Sequence, residues 1–168
     1  MRPESELIHG MAKHDPGIFE EFVRRFQSMI YFTSLRMLGE RNEALDCAQE
    51  VFLKIWRAAP KMKKDVPLGR WVYRITVNAC IDRIRECKRY NQRTEIDNVI
   101  WLSIRFDGIS PQDYAIQNEE YNQVKHAMNE LTDRQRAVFV LRHFQNVKLQ
   151  EIAEILNIPL GTVKATLH

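Results

Sequence analysis

The residues that could do chemistry in this chain are cations, amides, carboxylates and aromatics gathered in three stretches. The first stretch is basic. Between Lys61 and Arg93 stand Lys61, Lys63, Lys64, Arg70, Arg74, Arg83, Arg85, Lys88, Arg89 and Arg93, opposed only by Asp65, Asp82 and Glu86, so ten cations face three anions. The flanks are mildly acidic, with eight cations to nine anions over residues 1–60 and seven to ten over residues 94–168, and the formal net charge of +3 hides the contrast. A localised block of this kind is an electrostatic footprint for a polyanion, of which nucleic acid is the commonest; a solvated helical face is the plain alternative. Asn78 sits inside the block, and its amide offers the paired donor and acceptor that can read a base edge. Of the two nearby aromatics, Trp71 has the spacing of a core residue, and Tyr73 falls nearer the basic face.

The second stretch runs from Asp46 to Trp56. Asp46, Gln49, Glu50 and Leu53 recur at helical steps on one flank, and Cys47, Val51 and Ile55 turn inward. A polar, acidic flank beside the exposed bulk of Phe52 suits docking onto a basic surface of another protein, with simple solvation as the alternative. Acid–base catalysis by Asp46 and Glu50 would need an apolar pocket, a nucleophile or a metal-spaced His, none of which lies nearby. The third stretch, Leu149 to Lys164, reads as a helix-turn-helix. Ala153 is small where a second helix crosses, and Asn157 falls where the turn needs a positive φ. Ile152, Leu156, Ile158, Val163 and Leu167 supply the shared core. Thr162, Lys164, Ala165 and His168 are left outward on the second helix, available to a major groove; an αα-hairpin within a bundle is the competing reading.

The remaining reactive residues are scattered. Cys47, Cys80 and Cys87 form no C-x-x-C and have no paired His nearby, and the five histidines show no ligand spacing. Packing thiols are expected, with no metal and no cofactor. An odd cysteine count argues for a reducing compartment. Hydrophobic residues at 45% and charged residues at 28% are ordinary for a globular chain, and six Gly with six Pro exclude collagen-like composition. No apolar run reaches the ~18 residues of a membrane span, and Met1 to Glu6 carries no secretory apolar region, so a cytoplasmic protein is expected.

The elements that must position these groups are helical nearly throughout. Asp15 caps and Pro16 opens a helix on which Phe19, Phe22, Phe26 and Ile30 recur, and Gly39 is placed to end it. Asn42 is read as the cap of the next helix, which buries Ala44, Cys47, Ala48, Val51 and Ile55 until Pro60. Leu68, Val72, Ile75 and Ala79 mark a third, continuing through Ile84. Residues 91–109 lack a clean period and read as a linker; Ser110-Pro111 opens a further helix, and Thr132 with Gln135 forms a capping box. The fold expected is all-α: two small helical domains, 1–92 and 110–168, joined by a linker over 93–109, the second a helix-turn-helix.

With those motifs in hand, the chain resembles RNA polymerase sigma factors of the ECF (extracytoplasmic function) subfamily along essentially its whole length. Asp46-Cys47-Ala48-Gln49-Glu50-Val51-Phe52 resembles that family's core-polymerase helix, Trp71 to Asn78 with Asp82 to Arg85 its promoter-melting segment, and Leu131 to Lys164 its C-terminal helix-turn-helix. The resemblance implies that Asp46, Gln49, Glu50, Phe52 and Leu53 meet the β′ clamp helices of core polymerase. It implies that Asn78 takes a flipped base of the −10 element while Arg74, Arg83, Arg85, Lys88 and Arg89 hold phosphates, and that Thr162, Lys164, Ala165 and His168 meet the −35 element. It further implies an anti-sigma factor, often membrane-anchored, as a restraining partner, and neither enzymatic activity, small-molecule substrate nor direct membrane insertion.

Ala165 and Thr166 stand where the family commonly has Ser and Arg, and the chain stops at His168 where relatives usually continue with basic residues. Two readings stay open: a truncated end, or a weakened upstream contact. A rival function from another class is a ligand-sensing helix-turn-helix repressor, which predicts a dimer and a palindromic operator. A helical-bundle enzyme or metal carrier lacks any ligand spacing. The apolar run Val99 to Phe106 is expected to pack on the anti-sigma factor or the polymerase. Changing Trp101 and Phe106 to Ser should weaken one of those associations in a pull-down, and unchanged affinity for both rejects that use.

Overall fold

The computed structural model describes residues 2–62, 66–91, 128 and 130–167, and all regular elements among them are helical. The chain opens with a helix that sequence periodicity did not announce, α1 (Glu4–Ala12). It buries only Leu7, Gly10 and Met11, too few positions to register as a pattern, while Glu4 and Glu6 lie favourably in its first turn. In α2 (Pro16–Leu38) the Asp15 carboxylate accepts from the Gly17 and Ile18 amides at 2.9 and 3.1 Å, and Pro16 fills the first turn as expected. Gly39 ends the helix at φ 72°, its amide donating to the Leu35 carbonyl. Phe22, Phe26 and Ile30 are buried.

The start of α3 (Arg41–Ala58) corrects the expected cap. Glu40, not Asn42, occupies the cap position, and its carboxylate accepts from the Asn42 and Glu43 amides at 3.2 and 2.9 Å. A full negative charge at the positive end of the helix outcompetes a neutral amide two residues later. A single 3₁₀ turn, Ala59–Lys61, follows around Pro60. The longest described helix, α4 (Leu68–Asn91), packs against both α2 and α3 to make a three-helix core that α1 joins. Aromatic rings tie the outer side of this core together: Phe22 stacks on Phe26 at 4.8 Å, and Trp56 meets Phe19 edge-on at 4.6 Å.

In the C-terminal part, Thr132 caps a helix, and its side chain forms the expected capping box with Gln135. Helix α5 (Asp133–Phe139) widens without a break into a π-helical turn, Val140–Phe144. Helices α6 (Leu149–Leu156) and α7 (Leu160–Thr166) then form the helix-turn-helix, with Asn157 at φ 52° in the turn. Ile152 and Val163 are wholly buried, and Leu156, Ile158 and Leu167 pack around them. These helices rest on α4 and on the end of α2, and one apolar core is continuous across the contact. The expected linker over 93–109, the helix opening at Ser110 and the run Val99 to Phe106 lie outside the described residues.

The docking of α1 depends on a missing side chain. A Cβ on Gly10 would stand 2.0 Å from Ile18 Cδ1 and 2.9 Å from both its Cγ atoms. Rotating a β-branched side chain cannot clear all three at once. Gly10→Ala is therefore expected to destabilise the protein by about 1–3 kcal/mol, despite the better helix propensity of Ala, and to lower the thermal midpoint measured by circular dichroism.

Candidate nucleic-acid interface

The functional candidates are positioned chiefly by α4, whose 100° step per residue divides its side chains among three surroundings. Leu68, Val72, Thr76, Ala79 and Cys80 are buried along one side. Arg70 and Tyr73 lie on a second side that meets the C-terminal helices. Arg74, Asn78, Asp82 and Arg85 fall together on a third, and all four are exposed. Next to this third side α3 and α4 enclose an open groove of about 460 Å³ lined by Lys54, Arg57, Ala58 and Lys61 on one wall and Ile75, Asn78, Ala79 and Asp82 on the other.

Lys54, Arg57 and Lys61 are therefore neighbours of Asn78, an association the basic block defined along the sequence did not include for Lys54 and Arg57. The available signal was their spacing of three and four, which puts them on one side of α3 facing the 75–78–82 ladder. Lys54 also donates to a neighbour on its own helix: Glu50 Oε1 lies 2.8 Å away, and that hydrogen bond, resisted by partial burial, raises the Lys54 pKa.

The expected flank of α3 is present with one correction. Asp46, Gln49 and Leu53 are exposed, Leu53 at 55%, whereas Phe52 is half-buried, its ring edge-on to Phe22 at 6.4 Å. Position 52 follows the wholly buried Val51, so its large side chain leans onto the core of α2 instead of standing free. The exposed apolar group of this flank is Leu53.

Arg83 also departs from expectation. Its guanidinium lies 2.5 Å from Glu43, 3.4 Å from Asp46 and 3.8 Å from Glu50, so it gathers three carboxylates of α3 onto α4. The residue that resemblance assigns to phosphate joins two helices here, because residues 43, 46 and 50 present one acidic stripe directly opposite it. Arg85 keeps an exposed side chain whose Nε lies 3.6 Å from Asp133 at the start of α5. The side chains of Lys88 and Arg89 lie outside the described residues. Tyr73 donates to Gln145 Oε1 at 3.2 Å, and burial, then the charge of Glu151, raises its pKa and keeps the phenol protonated. Trp71 is half-buried against the core, as its spacing predicts.

Beneath the groove, the Cys47 and Cys80 sulfurs touch at 3.7 Å, and Cys80 lies 3.7 Å from Ser34 Oγ. Both thiols are buried and Cys87 is exposed. The Cys80 thiol is pushed up by its hydrogen bond to Cys47 and by burial. Their sequence separation concealed this contact. On α7, Thr162, Lys164 and Ala165 are exposed on one side while Val163 is buried; His168 lies outside the described residues.

A family model for sigma-70 region 2 matches residues 22–90, and one for sigma-70 region 4 matches residues 121–168. The ECF RNA polymerase sigma factor SigW of Bacillus subtilis is 35% identical over 166 residues, covering 96% of this chain and 89% of that protein. The chain belongs to the ECF sigma factors. The RNA polymerase sigma-H factor of Pseudomonas aeruginosa is 25% identical over 169 residues, covering 96% of this chain and 86% of that protein. Among solved structures, CnrH in complex with the cytosolic domain of CnrY superposes with a TM-score of 0.67 at 20% identity, covering 97% of this chain and 88% of that one. The sigma factor RpoE in complex with the anti-sigma factor NepR, from Bartonella quintana, gives 0.64 at 19% identity, with 89% of each chain covered. At these identities the structures attest the shared helical fold. Family membership removes the repressor as a rival. No described helix of this sigma factor is long and apolar enough to cross a membrane.

The two kinds of cation on α4 should separate by thermal denaturation. Arg83→Met removes a partner from three partly exposed carboxylates and is expected to lower stability by about 1 kcal/mol, or roughly 2–4 °C. Arg74→Met should leave the midpoint within about 1 °C, since its side chain stands in solvent.

Proposed function

We propose that this sigma factor docks on core RNA polymerase through the exposed flank of α3, opens and reads the −10 element along the α3–α4 groove, and meets the −35 element with α7. One observation carries the reading. Asn78 stands exposed at a groove whose opposite wall supplies Lys54, Arg57 and Lys61, on helices fixed by a buried core. A base held out of a duplex needs an edge to pair with and cations for its flanking phosphates, and this groove provides both.

In this reading Asp46, Gln49, Glu50 and Leu53 face the β′ clamp helices, with Phe52 supporting them from the core side. Arg74 and Arg85 hold phosphates from the open side of α4, with Lys88 and Arg89 extending the track. Arg83 acts as a positioning residue that sets the acidic stripe. Thr162, Lys164, Ala165 and His168 form the −35 surface. The protein is a specificity subunit without enzymatic activity or a cofactor, working in the cytoplasm. An anti-sigma factor restrains it, as NepR is the anti-sigma factor bound to RpoE, a protein of this fold; a membrane-anchored one would hold it at the membrane.

The test is size-exclusion chromatography with bacterial core polymerase. The chain should co-elute, and Gln49→Ala with Glu50→Lys should abolish co-elution. Asn78→Ala should retain it and lower promoter opening, read by permanganate footprinting, by about tenfold or more, the worth of one base-edge contact. Arg74→Ala should reduce the slope of log K against log salt by about 0.9, one phosphate contact. A wild-type chain that ignores polymerase defeats the proposal.

A further inference from the structure

We infer that Cys47 and Cys80 are an oxidisable dithiol: hydrogen peroxide joins them in a disulfide that ties α3 to α4 and narrows the Asn78 groove so that a base no longer enters. The bond itself rests on contacts between described residues; its effect on promoter opening rests on the function proposed above.

Three observations carry the inference. The first is contact. The two sulfurs lie 3.7 Å apart although 33 residues separate them in sequence, and both side chains are wholly buried. A disulfide needs about 2.05 Å between sulfurs, so closure asks for roughly 1.7 Å of approach, met by side-chain rotation and a small shift of one helix toward the other. The neighbouring Ala48 and Ala79 are small and buried, which leaves the helices room to make that shift. The second observation is that the two thiols are unequal. Cys47 is shifted toward thiolate, chiefly by the hydrogen bond from Cys80; burial opposes this, and the Ser34 hydroxyl and the Arg83 charge add to it. Cys80 is pushed well up and keeps its proton. A thiolate to attack and a protonated partner to resolve are what thiol oxidation requires.

The third observation is position. Cys47 follows Asp46 on the proposed polymerase flank, and Cys80 lies two residues beyond Asn78 and next to Ala79, which lines the groove. Arg83 closes the same margin of the α3–α4 contact by spanning Glu43, Asp46 and Glu50. A small oxidant therefore enters by local opening of that margin, without unfolding of the core. The steps balance. The Cys47 thiolate attacks one peroxide oxygen, the O–O bond breaks, and a sulfenic acid and hydroxide result; the proton Cys47 gave up on ionising turns the hydroxide to water. The Cys80 sulfur then attacks the sulfenic sulfur, the S–O bond breaks, and the departing hydroxyl leaves as water with the Cys80 proton. The two thiols lose two electrons and the peroxide gains them. Asp46, Gln49, Glu50 and Leu53 sit on one helix and move with it, so docking on polymerase is kept while the groove between the two helices closes.

The test uses the full chain with Cys87→Ser, which leaves the buried pair as its thiols. The chain is treated with hydrogen peroxide, the peroxide is removed, and thiols are counted with a maleimide after unfolding. Both thiols should disappear together, and a peptide pair joined through Cys47 and Cys80, lighter by two hydrogens than its parts, should be recovered. Dithiothreitol should restore both thiols. With core polymerase the oxidised chain should co-elute as the reduced one does, open the promoter about tenfold less, as if the Asn78 contact were lost, and regain opening after dithiothreitol. Cys47→Ala and Cys80→Ala, each in that background, should show no loss on peroxide treatment that dithiothreitol reverses. That reversal separates the disulfide from methionine oxidation, which dithiothreitol leaves in place. Thiols that persist under peroxide, or that oxidise without yielding the joined peptide, would overturn the dithiol. A joined chain that opens the promoter as well as the reduced one, or an equal reversible loss in Cys47→Ala, would overturn closure of the groove. An untreated chain that fails to co-elute refutes the sigma reading, while the thiol count in the free chain still decides the bond.

Discussion

One helix has to satisfy three neighbours at once, and the rest of the structure follows from how it does so. The inner side of α4 is committed to α2 and α3 through Leu68, Val72, Thr76, Ala79 and Cys80. A second side is taken by the C-terminal helices through Arg70 and Tyr73. Among the described residues, the arc carrying Arg74, Asn78 and Asp82 is left for solvent or a ligand. Small side chains on the inner side make this possible: Ala48, Cys47, Ala79 and Cys80 let α3 and α4 approach closely enough for the two thiols to touch. The groove around Asn78 is the outward margin of that close approach.

Arg83 converts this packing into an arrangement of charge. Three carboxylates in a row on α3 would repel one another and splay; a shared guanidinium on the adjacent helix fixes their directions instead. Glu50 is additionally held by Lys54, so the acidic flank proposed for polymerase and the cationic groove proposed for DNA are joined through one residue pair. A change that loosens one surface is felt in the other. The two proposed surfaces are thus tied by side chains less than two helical turns apart.

The helix order and the helix-turn-helix were legible because their signals are local. Asp15-Pro16, Gly39, Thr132-Gln135 and Asn157 each specify a backbone conformation from one or two residues, and all occur as read. The misread features depend on contacts distant in sequence. Asn42 lost the cap to Glu40 because two good capping groups competed within one turn. Phe52 was taken as exposed from its place on a helical wheel, which does not include the Phe22 ring that covers it. Arg83 was assigned to phosphate by resemblance, and in sequence a cation that meets phosphate is indistinguishable from one that meets carboxylates on the next helix. The association of Lys54 and Arg57 with Asn78 also required the crossing of α3 and α4, not either helix by itself.

The π-helical turn at Val140–Phe144 makes the spacing of the chain, as distinct from its composition, part of the contact between the two halves. One extra residue is accommodated there without ending the helix, and everything after it is rotated by about 100° relative to a regular α-helix. That rotation is what sets Phe144 beneath Arg36 and Gln145 within reach of Tyr73. Loss of a single residue in this turn would leave every side chain in the interface chemically intact and aim the last two away from their partners. Insertions and deletions here consequently offer a way to retune how firmly the halves associate while the surfaces proposed for polymerase and promoter keep their residues unchanged.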